Sequence, residues 1–287
     1  MIQLEDTYLD IIKKSCVGRG LGEKKIAQLT QLPLAKISGF FDGEYSESIL
    51  ESVAQVLRLD YTSLKNHANS VTRPPDIPLE GLQHYQSTFT YRPDQTLSVN
   101  HYLSVDFISK TALLFDTGTD AAASLEYLKD NALNLSAIFV THQHKDHIWA
   151  LGQYTEHFPK APIYAAKQSI DSTFLFSLLE IGKKLTYGPF EIEAIRTPGH
   201  TDDGMSFKVT GLSQTVMFVG DALFAHSQGG IHSQENYQRA LKINRSNILS
   251  QANETILAPG HGPLTTVAHE KNNNPFYASD VCQTIEQ

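Results

Sequence analysis

At 287 residues, with 41% hydrophobic and 19% charged residues, the chain has the balance of an ordinary globular protein and room for two domains or one large one. Its net charge of −8 argues against a general binder of nucleic acid or anionic membranes, and no apolar run approaches a membrane span. Cys16 and Cys282 make neither a disulfide framework nor a thiolate zinc site, and Met1 to Asp6 shows no signal peptide, so a cytoplasmic protein is expected.

Residues 1–70 read as helical. Tyr8, Ile11 and Ile12 share one face, Ile26 and Leu29 a second, Leu34, Ile37 and Phe41 a third, and Ile49, Val53, Val56 and Leu57 a fourth. Residues 71–78 then bring Pro74, Pro75 and Pro78, which cannot continue a helix and suit a semi-rigid linker. From residue 79 to 287 strands alternate with helices, and this part is expected to fold without the first. Residues 102–108 and 111–115 read as a strand pair, residues 120–131 as a helix opened by Asp120, and residues 235–251 as a late amphipathic helix.

Between them lies the densest chemistry of the chain. The apolar run 135–140 ends in Thr141-His142-Gln143-His144-Lys145-Asp146-His147, a cluster of imidazoles and a carboxylate at a strand end. Such ligands suit borderline first-row metals: zinc, and also iron or manganese. Three more strand-like runs break at turns that each present one ligand-type residue: His200 in Pro198-Gly199-His200, Asp221 in Gly220-Asp221, and His261 in Pro259-Gly260-His261. Asp116, after the run 113–115, reads either as an acceptor that orients a ligand imidazole or loop backbone, or as an Asp satisfying its own turn. His226 and His232 read as substrate contacts or as plain surface histidines.

These motifs resemble the metallo-β-lactamase superfamily, with its His-x-His-x-Asp-His run followed by a lone His, a lone Asp and a last His. The similarity covers residue 81 onward, and the later motifs look most like the hydroxyacylglutathione hydrolase (glyoxalase II) and persulfide dioxygenase branches. The resemblance implies an α+β fold, a four-layered αββα sandwich with metals at one edge of the sheets. It implies that His142, His144 and His200 hold one metal and Asp146, His147 and His261 a second, with Asp221 bridging. Two divalent ions, zinc first, would supply a bridging hydroxide for a thioester or ester-like acyl substrate, with Asp146 and Asp221 as the catalytic carboxylates. No Gly-x-Ser-x-Gly elbow competes with this reading. Two departures from glyoxalase II leave the substrate open. Its helical region carrying basic residues does not follow Phe276 here, and residues 225–230 replace its usual loop after Gly-Asp.

Residues 25–38, with Phe41-Asp42-Gly43 and residues 49–54, resemble the helix-turn-helix domain of Cro/C1-type repressors, so a small all-α domain is expected first. Gln31 stands where such turns usually have Gly. Residues 1–70 hold eight Lys and Arg against nine Asp and Glu, a balance of −1 that supplies little phosphate neutralisation. A helical module for homodimerisation or docking is the expectation, ahead of DNA binding. The alternatives to the hydrolase are a mononuclear-iron persulfide dioxygenase and a metabolite-sensing DNA-binding regulator.

Overall fold

The computed structural model describes residues 4–92, 95–168 and 174–278. Five helices come first: α1 (Tyr8–Arg19), α2 (Glu23–Thr30), α3 (Leu34–Phe41), α4 (Glu47–Leu57) and α5 (Tyr61–Ala68). Thr7 starts α1 in a reciprocal capping box with Asp10, and Gly20 ends it in the left-handed conformation. α2 passes to α3 through Gln31, which takes the left-handed conformation (φ 58°) that glycine would adopt more cheaply.

Two six-stranded sheets follow. The first runs in the order β1 (Leu82–Arg92), β2 (Gln95–Asp106), β3 (Thr111–Phe115), β4 (Asn134–Phe139), β5 (Ile163–Ala165), β6 (Phe176–Leu178). The second holds β7 (Lys184–Tyr187), β8 (Phe190–Arg196), β9 (Met205–Thr210), β10 (Val216–Gly220), β11 (Ile256–Pro259) and β12 (Thr265–Thr266), again in chain order across the sheet. Helix α6 (Ala122–Asp130) makes the crossover between the parallel strands β3 and β4. The helices α7 (Lys145–Ile148) and α8 (Leu151–His157) do so for β4 and β5. Helix α9 (Gln234–Ile243) lies between the parallel pair β10 and β11, and α10 (Val267–Asn273) follows β12.

Strand alternation, with both faces covered, explains why β3 and β10 are buried throughout. Leu113 and Phe115 enter the cluster between the sheets with Phe139, Phe207 and Phe218, while Ala112 and Leu114 face α6 and α8 with Leu128, Leu151 and Tyr154. On the far sheet Val216 and Phe218 point inward, and Met217 and Val219 point outward to α9. Three apolar interfaces thus separate four layers, the αββα sandwich that the motifs implied.

The outer cluster does not stop at α9. It takes in Ile11 and Ile12 of α1, Ile37 of α3, Val53 and Leu57 of α4 and Leu64 of α5, in one continuous apolar body with Tyr237, Ala240 and Leu241. Gly18 lets the Tyr237 ring lie directly against α1, where any Cβ would overlap it. A chain starting at Leu79 would leave this face bare, at ~1.5–3 kcal/mol for each large side chain returned to water.

The late helix is shorter than expected. α9 ends at Ile243 and widens into a π-turn over Asn244–Ile248. There the Asn244 side chain turns inward and donates to the Ala222 carbonyl (2.6 Å) and the Tyr277 hydroxyl (2.9 Å). The sequence pattern continues through this stretch, so periodicity alone runs the helix on to residue 251. Cys16 is buried and free, and Cys282 lies outside the described residues.

Candidate metal centre

Strands β3, β4, β8, β10 and β11 all end at the same edge of the sandwich, because β3 and β4 run parallel and so do β10 and β11. The loops leaving them carry Asp116, the His142–His147 run, His200, Asp221 and His261. All seven residues expected to bind metal converge there in two groups: His142, His144, His200 and Asp221 in one, Asp146, His147 and His261 in the other.

Asp221 reaches both groups. Its Oδ2 lies 3.5 Å from His200 Nε2, 3.9 Å from His142 Nε2 and 3.5 Å from His261 Nε2, and its Oδ1 lies 3.3 Å from His147 Nε2. Asp146 Oδ2 stands 3.4 Å from His261 Nε2 and 3.6 Å from His147 Nε2. Gly260 makes this approach possible, since a Cβ there would overlap Asp221 Oδ1 and the His147 ring.

The proton positions follow from the outer partners. His200 Nδ1 faces the Gly230 carbonyl (2.7 Å) and His261 Nδ1 the Ser98 carbonyl (2.7 Å). Carbonyls only accept, so in each neutral ring Nδ1 carries the hydrogen and Nε2 is bare. His147 Nδ1 donates to Asp116 Oδ2 (2.8 Å). The Thr141 hydroxyl donates to Asp116 Oδ2 (2.8 Å), so its oxygen is free to accept from His142 Nδ1 (3.2 Å). With these rings neutral, four Nε2 lone pairs and two carboxylates point at one another, and His144 Nδ1 joins them 3.1 Å from His142 Nε2 and 3.0 Å from His200 Nε2. His147 Nε2 and Asp221 Oδ1 have no hydrogen-bond partner although both are buried. Unpaired lone pairs converging at buried atoms are costly unless cations share them, so the donor set fits divalent metal ions.

The electrostatics agree. Burial opposes charge on His147, but Asp221 and Asp116 outweigh it and hold its pKa well above the ordinary value. His261 is pushed up to about 10, Asp221 and Asp146 overcoming the same burial. Burial likewise disfavours the Asp221 carboxylate, yet His261 and His147 hold it well below the usual range. The pocket favours positive charge.

Asp116 orients a ligand imidazole and a loop backbone rather than satisfying its own turn. Besides orienting His147, it accepts from the Thr141 backbone N–H (2.8 Å), and it takes a left-handed backbone (φ 54°) that Asp tolerates better than most residues. Lys145, inside the run, points to solvent. Asn100 has no signal in the sequence yet clamps the His261 loop. Its backbone N–H donates to the Gly260 carbonyl (2.8 Å), and its side chain donates to the carbonyls of Pro259 (3.0 Å) and Gly262 (2.7 Å).

His226 is not a surface histidine: it is fully buried, whereas His232 is exposed. His226 lies with His269 and Glu270 in a third group, which hydrogen bonding explains better than metal. His226 Nε2 and His269 Nε2 face each other at 2.7 Å in rings only 12° from coplanar. That gap holds a proton; two zinc–nitrogen bonds of about 2.0–2.1 Å at a tetrahedral angle would hold the nitrogens farther apart. The Glu270 oxygens already accept from Thr265 Oγ1 (2.6 Å), Asn274 Nδ2 (2.8 Å) and the His226 N–H (2.9 Å).

Layered sheets with a double His/Asp nest on one edge define a metal-dependent hydrolase. The chain belongs to the metallo-β-lactamase superfamily, whose pattern matches residues 96–267. It is 30% identical over 187 residues to the probable metallo-hydrolase YqgX of Bacillus subtilis, spanning 57% of this chain and 86% of that protein. It is 29% identical over 196 residues to the hydroxyacylglutathione hydrolase GloC of Haemophilus influenzae, spanning 59% of this chain and 89% of that one. The solved structure of the B3 metallo-β-lactamase BLEG-1 is similar at a TM-score of 0.52 and 28% identity, covering 68% of this chain and 100% of that one. Helices α1 to α5 lie outside the residues matched by the superfamily pattern. No helix among the described residues is long and apolar enough to cross a membrane.

Proposed function

We propose that this chain hydrolyses a small thioester or ester-like acyl substrate at a binuclear centre. His142, His144 and His200 would hold one divalent ion, zinc first and iron or manganese next. Asp146, His147 and His261 would hold the other, and Asp221 both. The observation that carries this reading is the set of ring nitrogens of His142, His147, His200 and His261, each fixed by an outward hydrogen bond, around Asp146 and Asp221, with His147 Nε2 and Asp221 Oδ1 buried and unpaired. Bound ions would acidify water and polarise an acyl carbonyl.

The chain's own groups would do the rest. Asp146, largely buried beside His261, offers a carboxylate to hold and aim the proton of an attacking water. Asp116 and the carbonyls of Ser98 and Gly230 fix the rings, so the ligands need no reorganisation as charge develops. The hydroxyacylglutathione hydrolase among the relatives supports a thioester as the first class to assay.

Elemental analysis of the purified chain, with thiol release from a panel of S-acyl thiols, esters and lactones, tests the reading. Two ions per chain and chelator-sensitive acyl hydrolysis are expected. One iron per chain with oxygen uptake on a persulfide, and no acyl hydrolysis, would replace it with the dioxygenase.

A further inference from the structure

We infer that Glu5 is a positioning residue of the metal centre, supplied by the helical region and acting through His261. The inference rests on the binuclear reading above. Glu5 precedes α1, outside the residues the superfamily pattern covers. Its side chain is only 17% exposed, and Oε1 lies 4.0 Å from His261 Nδ1. The contact is backbone-deep: a Cβ on Gly262 would sit 3.4 Å from both Glu5 N and Glu5 Cβ.

The segment is held in place from three sides. Asp6 pairs with Lys14 (2.5 Å), whose ammonium also donates to the Gln228 carbonyl (2.9 Å) in the loop after Asp221. His67 Nε2 of α5 donates to the Asp6 carbonyl (2.9 Å), and the Thr7–Asp10 capping box sets the chain's path into α1. Lys14, engaged by Asp6 and Gln228, also acts on Glu5 electrostatically, while the Glu5 carboxylate itself faces the His261 ring with the centre behind it.

A carboxylate so placed gives up water near Asp6 and Asp221, two groups of its own sign, so positive charge bound in the centre favours it. His261 Nδ1 already donates to Ser98, so Glu5 adds field rather than a replacement bond. Negative charge behind Nδ1–H makes the Nε2 lone pair a stronger donor to the ion shared with Asp146 and His147. The helical region thereby completes the second metal position.

The test uses the full chain loaded with zinc and titrated with a competing chelator, comparing wild type with Glu5→Gln and Glu5→Asp. Removal of such outer partners typically weakens metal binding about 10–100-fold, and the 4.0 Å separation places Glu5→Gln near the lower end. One zinc should bind as in wild type and the other about tenfold more weakly, with the melting temperature of the metal-free protein unchanged. Glu5→Asp should recover part of the loss. Glu5→Gln holding both ions as tightly as wild type overturns the inference while leaving the binuclear reading intact. Equal weakening of both ions, in step with a lower metal-free melting temperature, also overturns it, since Glu5 would then act on the fold alone. A wild-type chain that binds a single ion removes the binuclear reading and this inference together.

Discussion

Two clusters of histidines sit among the described residues, one at the sheet edge around Asp221 and one between α5, the loop after β10, and α10. In the second, the hydrogen bonds run head to tail. The Asp6 carbonyl accepts from His67 Nε2 (2.9 Å), which leaves His67 Nδ1 to accept from His226 Nδ1 (3.3 Å). His226 Nε2 then accepts from His269 Nε2 (2.7 Å), and His269 Nδ1 from Asn273 Nδ2 (3.4 Å). Three neutral rings with one proton each satisfy the whole row. Around Asp221 the rings of His142, His147, His200 and His261 send their protons outward and leave lone pairs facing one another. A satisfied row holds itself together and links the helical region to the catalytic sandwich; an unsatisfied ring of donors needs a cation. Residue type does not separate the two, but proton direction does.

Breaking the metal side should have the larger effect on turnover. Asp221→Asn removes the charge shared by both groups, and Asp146→Asn the carboxylate beside His261. Each should lower acyl hydrolysis by on the order of 10²–10³-fold, the scale for losing one preorganised charged or polar group, with Asp221→Asn also losing bound metal. Elemental analysis alongside rate measurements checks both. Near-wild-type turnover by Asp146→Asn would take that residue out of the mechanism.

Breaking the satisfied row should cost stability and spare the metal. His226→Phe leaves His67 Nδ1 and His269 Nε2 without the ring that pairs them, at about 1–3 kcal/mol for each buried group left unmade. Urea unfolding should show the loss while zinc content stays that of wild type. Loss of metal would mean that the two clusters are coupled.

Acid sharpens the same contrast. Burial, with His269 and His67 adding to it, pushes His226 down to about 3, and burial lowers His67 and His269 as well. The unfolded chain therefore takes up protons that the folded one refuses. The row's contribution is fully present above the unfolded value of about 6.5 and is lost as pH falls from there toward 3. Glu270, raised to about 7 by burial, works the other way, its neutral form losing advantage as pH climbs to that value. Melting temperature against pH should fall less steeply on the acid side in His226→Phe than in wild type; equal slopes would show that the row carries no charge penalty. The smallest effect belongs to Lys145→Ala, an exposed side chain inside the metal run, which should leave turnover within a few-fold.

The sequence made the metal side legible and hid the other. His142 to His147 announce themselves by density, and His200, Asp221 and His261 by the Gly and Pro that end apolar strands. Strands β3, β10 and β11 and the second half of β4 are readable because both faces are buried. β1 is not, since only Leu82, Tyr85, Phe89 and Tyr91 stand out among polar residues such as Gln83, His84 and Ser87. His67, His226 and His269 come from three distant segments, and nothing local to any of them shows that they meet. The same holds for Glu5, whose role depends on where α1 docks, and for Asn100, whose partners lie across the fold.

His261 is oriented by a carbonyl 163 residues away, and His200 meets His144 across 56. A site whose parts are so distant along the chain cannot assemble until both sheets and their crossovers are in place, so it should be absent from the folding transition state. Interactions missing there change the unfolding rate rather than the folding rate. Zinc should act as a latch on the finished molecule: added metal should lengthen the native lifetime in denaturant while leaving the refolding rate as it is in chelator.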